Sequence, residues 1–151
     1  MENENNTGST YDCLKIENQL CFPLYAASKE VIKRYRPFLD KLELTYTQYL
    51  AMMVFWEQKS ISVKELGQKL YLDSGTLTPV LKHLEQKEYI TRSRSREDER
   101  VLVAEITEKG QRLREKAVEV PAQMACCIRL EPQEAAALYQ LLYKLLGNFE
   151  G

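Results

Sequence analysis

Two sets of residues in this chain have types and spacing that could do chemistry. The first is four cysteines, Cys13, Cys21, Cys126 and Cys127. Each can ionise to the thiolate, the form of sulfur that attacks electrophiles and binds soft metals. The second is the stretch YLDSGTLTPVLKHLEQKEYITRSRSREDERV, residues 71–101. It places the short donors Ser74, Thr76 and Thr78 first, then Lys82 and His83, and then Arg92, Arg94, Arg96 and Arg100 with Asp98 among them.

The cysteines are constrained by compartment. The start MENENNTGST has neither the basic n-region nor the apolar h-region of a signal peptide. No apolar run approaches the roughly 20 residues needed to span a bilayer, so no membrane role is expected. A cytoplasmic location follows, where thiols are kept reduced. The four cysteines are then inert apolar residues, metal ligands or redox groups rather than a disulfide framework. His83 is the single histidine and no CxxC pair exists, so no zinc-ligand spacing is present and no metal or cofactor is expected.

Cys21 has Glu17, Asn18, Leu24 and Tyr25 at helical spacing. None is a cation, and Glu17 opposes ionisation. A helix start near Cys21, which Pro23 favours, would support the thiolate. From these residues alone both a buried inert cysteine and a reactive one stay open. If Cys21 and Cys13 shared one continuous helix they would lie about 12 Å apart, too far to bridge. A bond between them requires residues 13–20 to be non-helical. A vicinal Cys126–Cys127 bond is possible but strained.

The second set reads as a nucleic-acid surface. Lys+Arg number 21 and Asp+Glu 22, for a net charge of −1. Bulk charge therefore cannot drive binding, and any footprint must be local. Residues 91–96 carry three arginines and no acid, whereas residues 1–30 carry two lysines against five acids.

The elements that must position these groups follow from periodicity and caps. Residues 1–12 have nothing to bury and are expected to be disordered. Apolar residues at helical spacing predict a helix from Leu14 to about Tyr35, limited or kinked by Pro37. Thr45-x-x-Gln48 and Ser62-x-x-Glu65 are capping boxes opening two further helices, with a minimal strand at Ser60 and Ile61. Asp73–Thr76 starts another, and Pro79 predicts that this start is late or irregular, because a cap at Thr76 would keep Pro79 in the first turn. Leu66, Leu70, Leu77, Val80, Leu81 and Leu84 are expected in the core. Tyr89–Arg94 and Arg100–Ile106 flank SREDE as a hairpin. Thr107 caps a helix to about Ile128 that Pro121 bends or breaks, and Glu131-Pro132 opens the last helix, to about Phe149.

The fold class is mainly α with a small β-hairpin wing. A winged helix-turn-helix DNA-binding domain over 41–110 is flanked by helical regions, 13–40 and 111–151. Their apolar faces have no cover within the chain, so they are expected to pair in a twofold dimer. The second helix of a helix-turn-helix enters the major groove. Ser74, Thr76 and Thr78 at its start suit close approach to phosphate, as do the free N–H groups there. The wing arginines suit phosphate or a narrow minor groove, with Asp98 orienting Arg100 or Arg96. The opposing reading is a solvated charged face with ordinary capping. The order of the signals favours double-stranded operator DNA.

Residues 70–110, including Asp98-x-Arg100, resemble the MarR family of winged-helix repressors. Residues 14–57, from LKIENQLCF to MMVFWE, resemble the organic hydroperoxide sensors within that family. The resemblance implies that Cys21 in NQLCF is the peroxidatic cysteine. It implies that Tyr35 in KRYRP and Tyr46 in LTYTQY hydrogen-bond its thiolate from the partner subunit, with Tyr25 a further tyrosine of the site. Arg94 and Arg96 fall near the family's minor-groove arginine. Pro23 departs from the family pattern. Some members resolve the oxidised cysteine with a second one, and others use a small thiol. Cys126 or Cys127 across a subunit boundary is the resolving pair favoured here. The resemblance thus implies a non-enzymatic, homodimeric repressor released when organic hydroperoxide oxidises Cys21. The alternatives are control by a non-covalent ligand or another oxidant, a thiol peroxidase, and a protein-binding adaptor.

Overall fold

A computed structural model describes residues 9–150. The expected disorder of residues 1–8 lies outside the described residues, while the last part of that tail is ordered into a 3-10 turn at Asp12–Leu14. A second 3-10 turn follows at Ile16–Asn18. Helix α1 spans Cys21–Leu39, so it begins seven residues after the start predicted at Leu14. The cause is side-chain competition for backbone carbonyls. The Gln19 amide donates to the carbonyls of Cys13 and Lys15, and the Asn18 amide to that of Asp12. Pro23 is the third residue of α1, where its missing N–H costs no helical bond. Pro37 sits in the last turn, and the helix passes through it to Leu39.

Helix α2 (Tyr46–Gln58) opens on the predicted capping box of Thr45 and Gln48. Strand β1 (Ser60–Ser62) leads into α3 (Val63–Leu70), where the Ser62 hydroxyl accepts from the Glu65 N–H. Helix α4 (Ser74–Gln86) starts early and regularly, contrary to the late or irregular start predicted from Pro79. Asp73 caps it, its carboxylate accepting from the Thr76 N–H at 2.8 Å. This strong charged cap fixes the start despite Pro79, which lies inside the helix and leaves the Gly75 carbonyl without its usual partner.

Strands β2 (Ile90–Arg94) and β3 (Leu102–Ile106) form the antiparallel wing, with β1 on the far side of β3. The register runs from Ile90 opposite Ile106 to Arg94 opposite Leu102. Met52, Phe55, Leu66, Leu77, Leu81, Leu84 and Ile90 are fully buried. One core thus joins α2, α3, α4 and the wing base, and it holds the underside of α4 while the hydroxyls at its start stay outside. Of the predicted core residues only Leu70 is half-exposed.

The predicted break in the long helix is real. Helix α5 spans Glu108–Ala117 and α6 spans Val120–Ile128, with Pro121 in the first turn of α6. The start of α5 is locked to the wing. The Thr107 hydroxyl accepts from the Gly110 N–H and donates to the Glu88 carbonyl, and the Trp56 indole donates to the Gly110 carbonyl at 2.9 Å. A Cβ on Gly110 would collide with the Tyr89 carbonyl oxygen and lie 2.9 Å from Ile106 Cγ1. Gly110→Ala is therefore expected to cost about 1–3 kcal/mol, and to lower the melting temperature by several degrees in a thermal unfolding scan. An unchanged melting temperature would mean that the backbone relaxes there without penalty.

Helix α7 (Pro132–Gly147) opens on a capping box of Glu131 and Glu134 and buries no residue. Leu138, Tyr139 and Leu141 stand exposed along it, as do Leu20, Phe22, Leu24 and Tyr25 around the start of α1. Helix α6 packs on α1. No helix among the described residues is long and apolar enough to cross a membrane, and none of their side chains cluster as a metal site.

Candidate redox centre and nucleic-acid interface

Cys21 is the first residue of α1 and is exposed. Leu20, the residue before it, offers no capping side chain, so the first N–H groups of the helix keep their partial positive charge for an anion at this end. Tyr25 lies one turn further on and is also exposed. Its hydroxyl accepts from Lys29 Nζ at 3.3 Å, and that ammonium lies 5.1 Å from the ring centroid. Lys29 escapes notice in the sequence because it lies two turns from Cys21, beyond the nearest helical neighbours. It is a cation held on Tyr25, about 12 Å along the helix axis from Cys21.

Tyr35 and Tyr46 are brought together by the packing of α1 on α2, with ring centroids 4.8 Å apart. Tyr49 joins them at 5.9 Å from Tyr35 and leans on Trp56. In the sequence Tyr49 is only one member of an apolar run. Burial pushes the phenols of all three above their ordinary range, so Tyr35 and Tyr46 remain protonated donors at neutral pH. Fourteen residues of helix separate Tyr35 from Cys21, about 21 Å along the axis. Within one chain, then, Tyr25 is the phenol near Cys21, and Tyr35 with Tyr46 stands at the other end of α1.

All four cysteines are free and exposed. Cys126 and Cys127 end α6. Residues 13–20 hold 3-10 turns broken at Lys15 and Gln19 rather than one continuous α-helix, so the spacing expected for a continuous helix does not apply to Cys13 and Cys21.

At the start of α4 the predicted hydroxyls differ in availability. Thr78 Oγ1 donates to the Ser74 carbonyl at 2.6 Å, and Thr76 Oγ1 to the Asp73 carboxylate at 3.4 Å. Both are turned onto their own helix, and the Ser74 hydroxyl makes no such bond. The N–H and hydroxyl of Thr76 hold the Asp73 carboxyl below the usual range. Lys82 is exposed. His83 lines a shallow cleft with Asp40, Glu43 and Thr45, on the side of the α1–α2 turn.

The wing separates its arginines by role. Arg92 is half-buried and tied to Glu85 of α4, with Nη2 at 2.8 Å and Nε at 3.1 Å from one carboxylate oxygen. Its backbone N–H donates to the other oxygen. These bonds hold the Glu85 carboxyl below its ordinary range. Arg92, expected as a phosphate donor, is thus committed to bracing the wing on the helix. Arg94, Arg96 and Arg100 surround an exposed notch with Ser95 and Glu99. The predicted pairing of Asp98 with Arg100 is present, with Nε at 3.1 Å and the Arg100 N–H at 3.0 Å from one carboxylate oxygen. It orients the guanidinium while leaving 91% of that side chain exposed.

The family model for the transcriptional regulators SarA/Rot matches residues 29–117. The chain is 50% identical over 136 residues to the organic hydroperoxide resistance transcriptional regulator of Bacillus subtilis, covering 90% of this chain and 92% of that protein. Reduced AbfR bound to DNA, 31% identical, superposes with a TM-score of 0.76 over 95% of this chain and 100% of that one. AbfR is a Staphylococcus epidermidis protein. Its disulfide form, 34% identical in the alignment, gives a TM-score of 0.62 over 88% of this chain and 93% of that one.

Proposed function

The chain belongs to the winged-helix transcriptional regulators of the MarR and SarA/Rot type, and we propose that it is a dimeric repressor whose hold on operator DNA is released when an organic hydroperoxide oxidises Cys21. The observation that carries this reading is the exposed Cys21 at the head of α1, with Tyr25 and Lys29 along the same face. The Cys21 thiolate attacks one peroxide oxygen, and the O–O bond breaks. The departing alkoxide takes a proton to become the alcohol, and the sulfur is left as a sulfenic acid. A second thiol then attacks that sulfur, water leaves and a disulfide forms. Cys126 or Cys127 of the partner subunit, Cys13 of the same chain and a small cellular thiol are the groups chemically able to do this.

The exposed apolar faces at the two ends of the chain support a dimer, since a second copy would bury both. Tyr35, about 21 Å along α1 from its own Cys21, and Tyr46 of α2 beside it are too far to serve that sulfur, and in a dimer they are available as donors to the partner's. In the repressor the start of α4 enters the major groove, and Arg94, Arg96 and Arg100 reach the backbone or minor groove. Two such heads must sit about 34 Å apart, one helical turn of DNA. Oxidation at α1 disturbs the dimer contact and with it this spacing. Reduced thiols fit a cytoplasmic protein. The relatives matched are transcriptional regulators, which sets the thiol-peroxidase alternative aside.

A mobility-shift titration tests the function. The reduced protein is expected to retard operator DNA, to lose it on addition of cumene hydroperoxide and to regain it with dithiothreitol. A complex that persists through peroxide would overturn the redox reading.

A further inference from the structure

Tyr71 is the C-terminal cap of α3 and opens the three-residue turn, Tyr71–Asp73, that leads into α4. Its φ of 55° is left-handed, a conformation that favours glycine and costs a residue with a Cβ. A tyrosine here breaks a local rule, and such a break invites a search for what the side chain does. The phenol leaves its own element. Its hydroxyl donates to the carboxylate of Glu150, beyond the end of α7 and 79 residues away in sequence. That bond holds the Tyr71 phenol above its ordinary range. Tyr143 of α7, Met53 of α2 and Leu70 of α3 line the groove between the two residues. Helix α7 buries none of its residues, so this bond is a notable tie between the helix and the domain that carries α4.

We propose that Tyr71 and Glu150 form a clasp fixing the C-terminal end of α7 to the helix-turn-helix turn, making both positioning residues for operator binding. The inference rests on the reading of α4 as the DNA-reading helix. If α7 takes part in the subunit interface, the clasp carries a shift of that interface directly to Asp73, the cap that sets the start of α4. The two heads are then held at a defined angle rather than on a free hinge.

Four variants and three measurements test this. In operator titrations by fluorescence anisotropy, Tyr71→Phe and Glu150→Ala should each weaken binding about three- to tenfold, the range of one lost hydrogen bond. The double variant should be no weaker than either single one, because both remove the same bond. Glu150→Gln keeps an accepting oxygen and should bind within about twofold of the wild type. Melting temperatures should stay within a degree or two, since the bond is on the surface. Singles that bind like the wild type would overturn the clasp. So would a Glu150→Gln as weak as Glu150→Ala, which would assign the effect to charge. Amide hydrogen exchange without DNA keeps the clasp separable from the DNA reading. Tyr71→Phe should speed exchange both in residues 71–76 and near the end of α7. Unchanged exchange rejects the clasp even if the wild type proves not to bind DNA, whereas faster exchange in both places supports it in that case too.

Discussion

Cys21→Ser is expected to hold operator DNA as the wild type does and to ignore organic hydroperoxide. Serine matches cysteine in shape, suits the first turn of a helix and replaces an exposed side chain, so the fold and α4 are untouched. Its hydroxyl does not ionise near neutral pH, and the reaction with peroxide is lost altogether. Anisotropy on a labelled operator would read this directly. Peroxide should weaken the wild-type complex by at least tenfold, about 1.4 kcal/mol, and the variant by less than about twofold. A variant still released by peroxide would remove Cys21 from the mechanism and point to Cys13, Cys126 or Cys127.

The second large effect belongs to the wing. Replacing Arg94 and Arg96 together with alanine is expected to weaken operator binding about 10- to 100-fold near physiological salt, while the melting temperature holds. Neither arginine has a carboxylate partner among the described residues, and both border the exposed notch. For every phosphate that goes unneutralised, the slope of log affinity against log salt should also flatten by about 0.9. The double variant should therefore show a slope shallower by about two units if both arginines reach phosphates. An unchanged slope would contradict their placement on DNA. Arg92→Ala should behave differently. Its loss frees the wing from Glu85, so the effect should appear first as a lower melting temperature.

The contrast between Arg92 and its neighbours shows where sequence reasoning stops. Alternation along TRSRSR marks a charged wing strand, but the partner that claims Arg92 lies on another element. Only the packing of β2 on α4 brings Glu85 to it. Features written within four residues were legible: the box of Thr45 and Gln48, the cap at Thr107, and the apolar spacing that buries Leu66, Leu77, Val80, Leu81 and Leu84. The start of α1 was not, because apolar spacing continues through residues where Gln19 and Asn18 take the carbonyls that a helix would use. Pro79 misled for a related reason. A proline penalty read in isolation ignores the stronger cap that Asp73 offers at the head of the helix. The link of Tyr35 and Tyr46 to Cys21 came only from family resemblance, and within one chain they stand at the other end of α1. No local pattern connects residues 35 and 46 to a sulfur one helix-length away. The tie between Tyr71 and Glu150 spans half the chain and has no sequence signature at all.

The central claim, that the oxidation state of Cys21 governs release from DNA, is tested most directly by measuring both in one sample. A DNA-bound wild-type protein is titrated with cumene hydroperoxide, from well below one equivalent. At each point the fraction of DNA released is read by anisotropy, and the fraction of Cys21 oxidised by mass spectrometry of its peptide after thiol alkylation. The redox mechanism predicts that the two rise together and saturate near one equivalent per chain. DNA that departs while the Cys21 peptide remains reduced would contradict it.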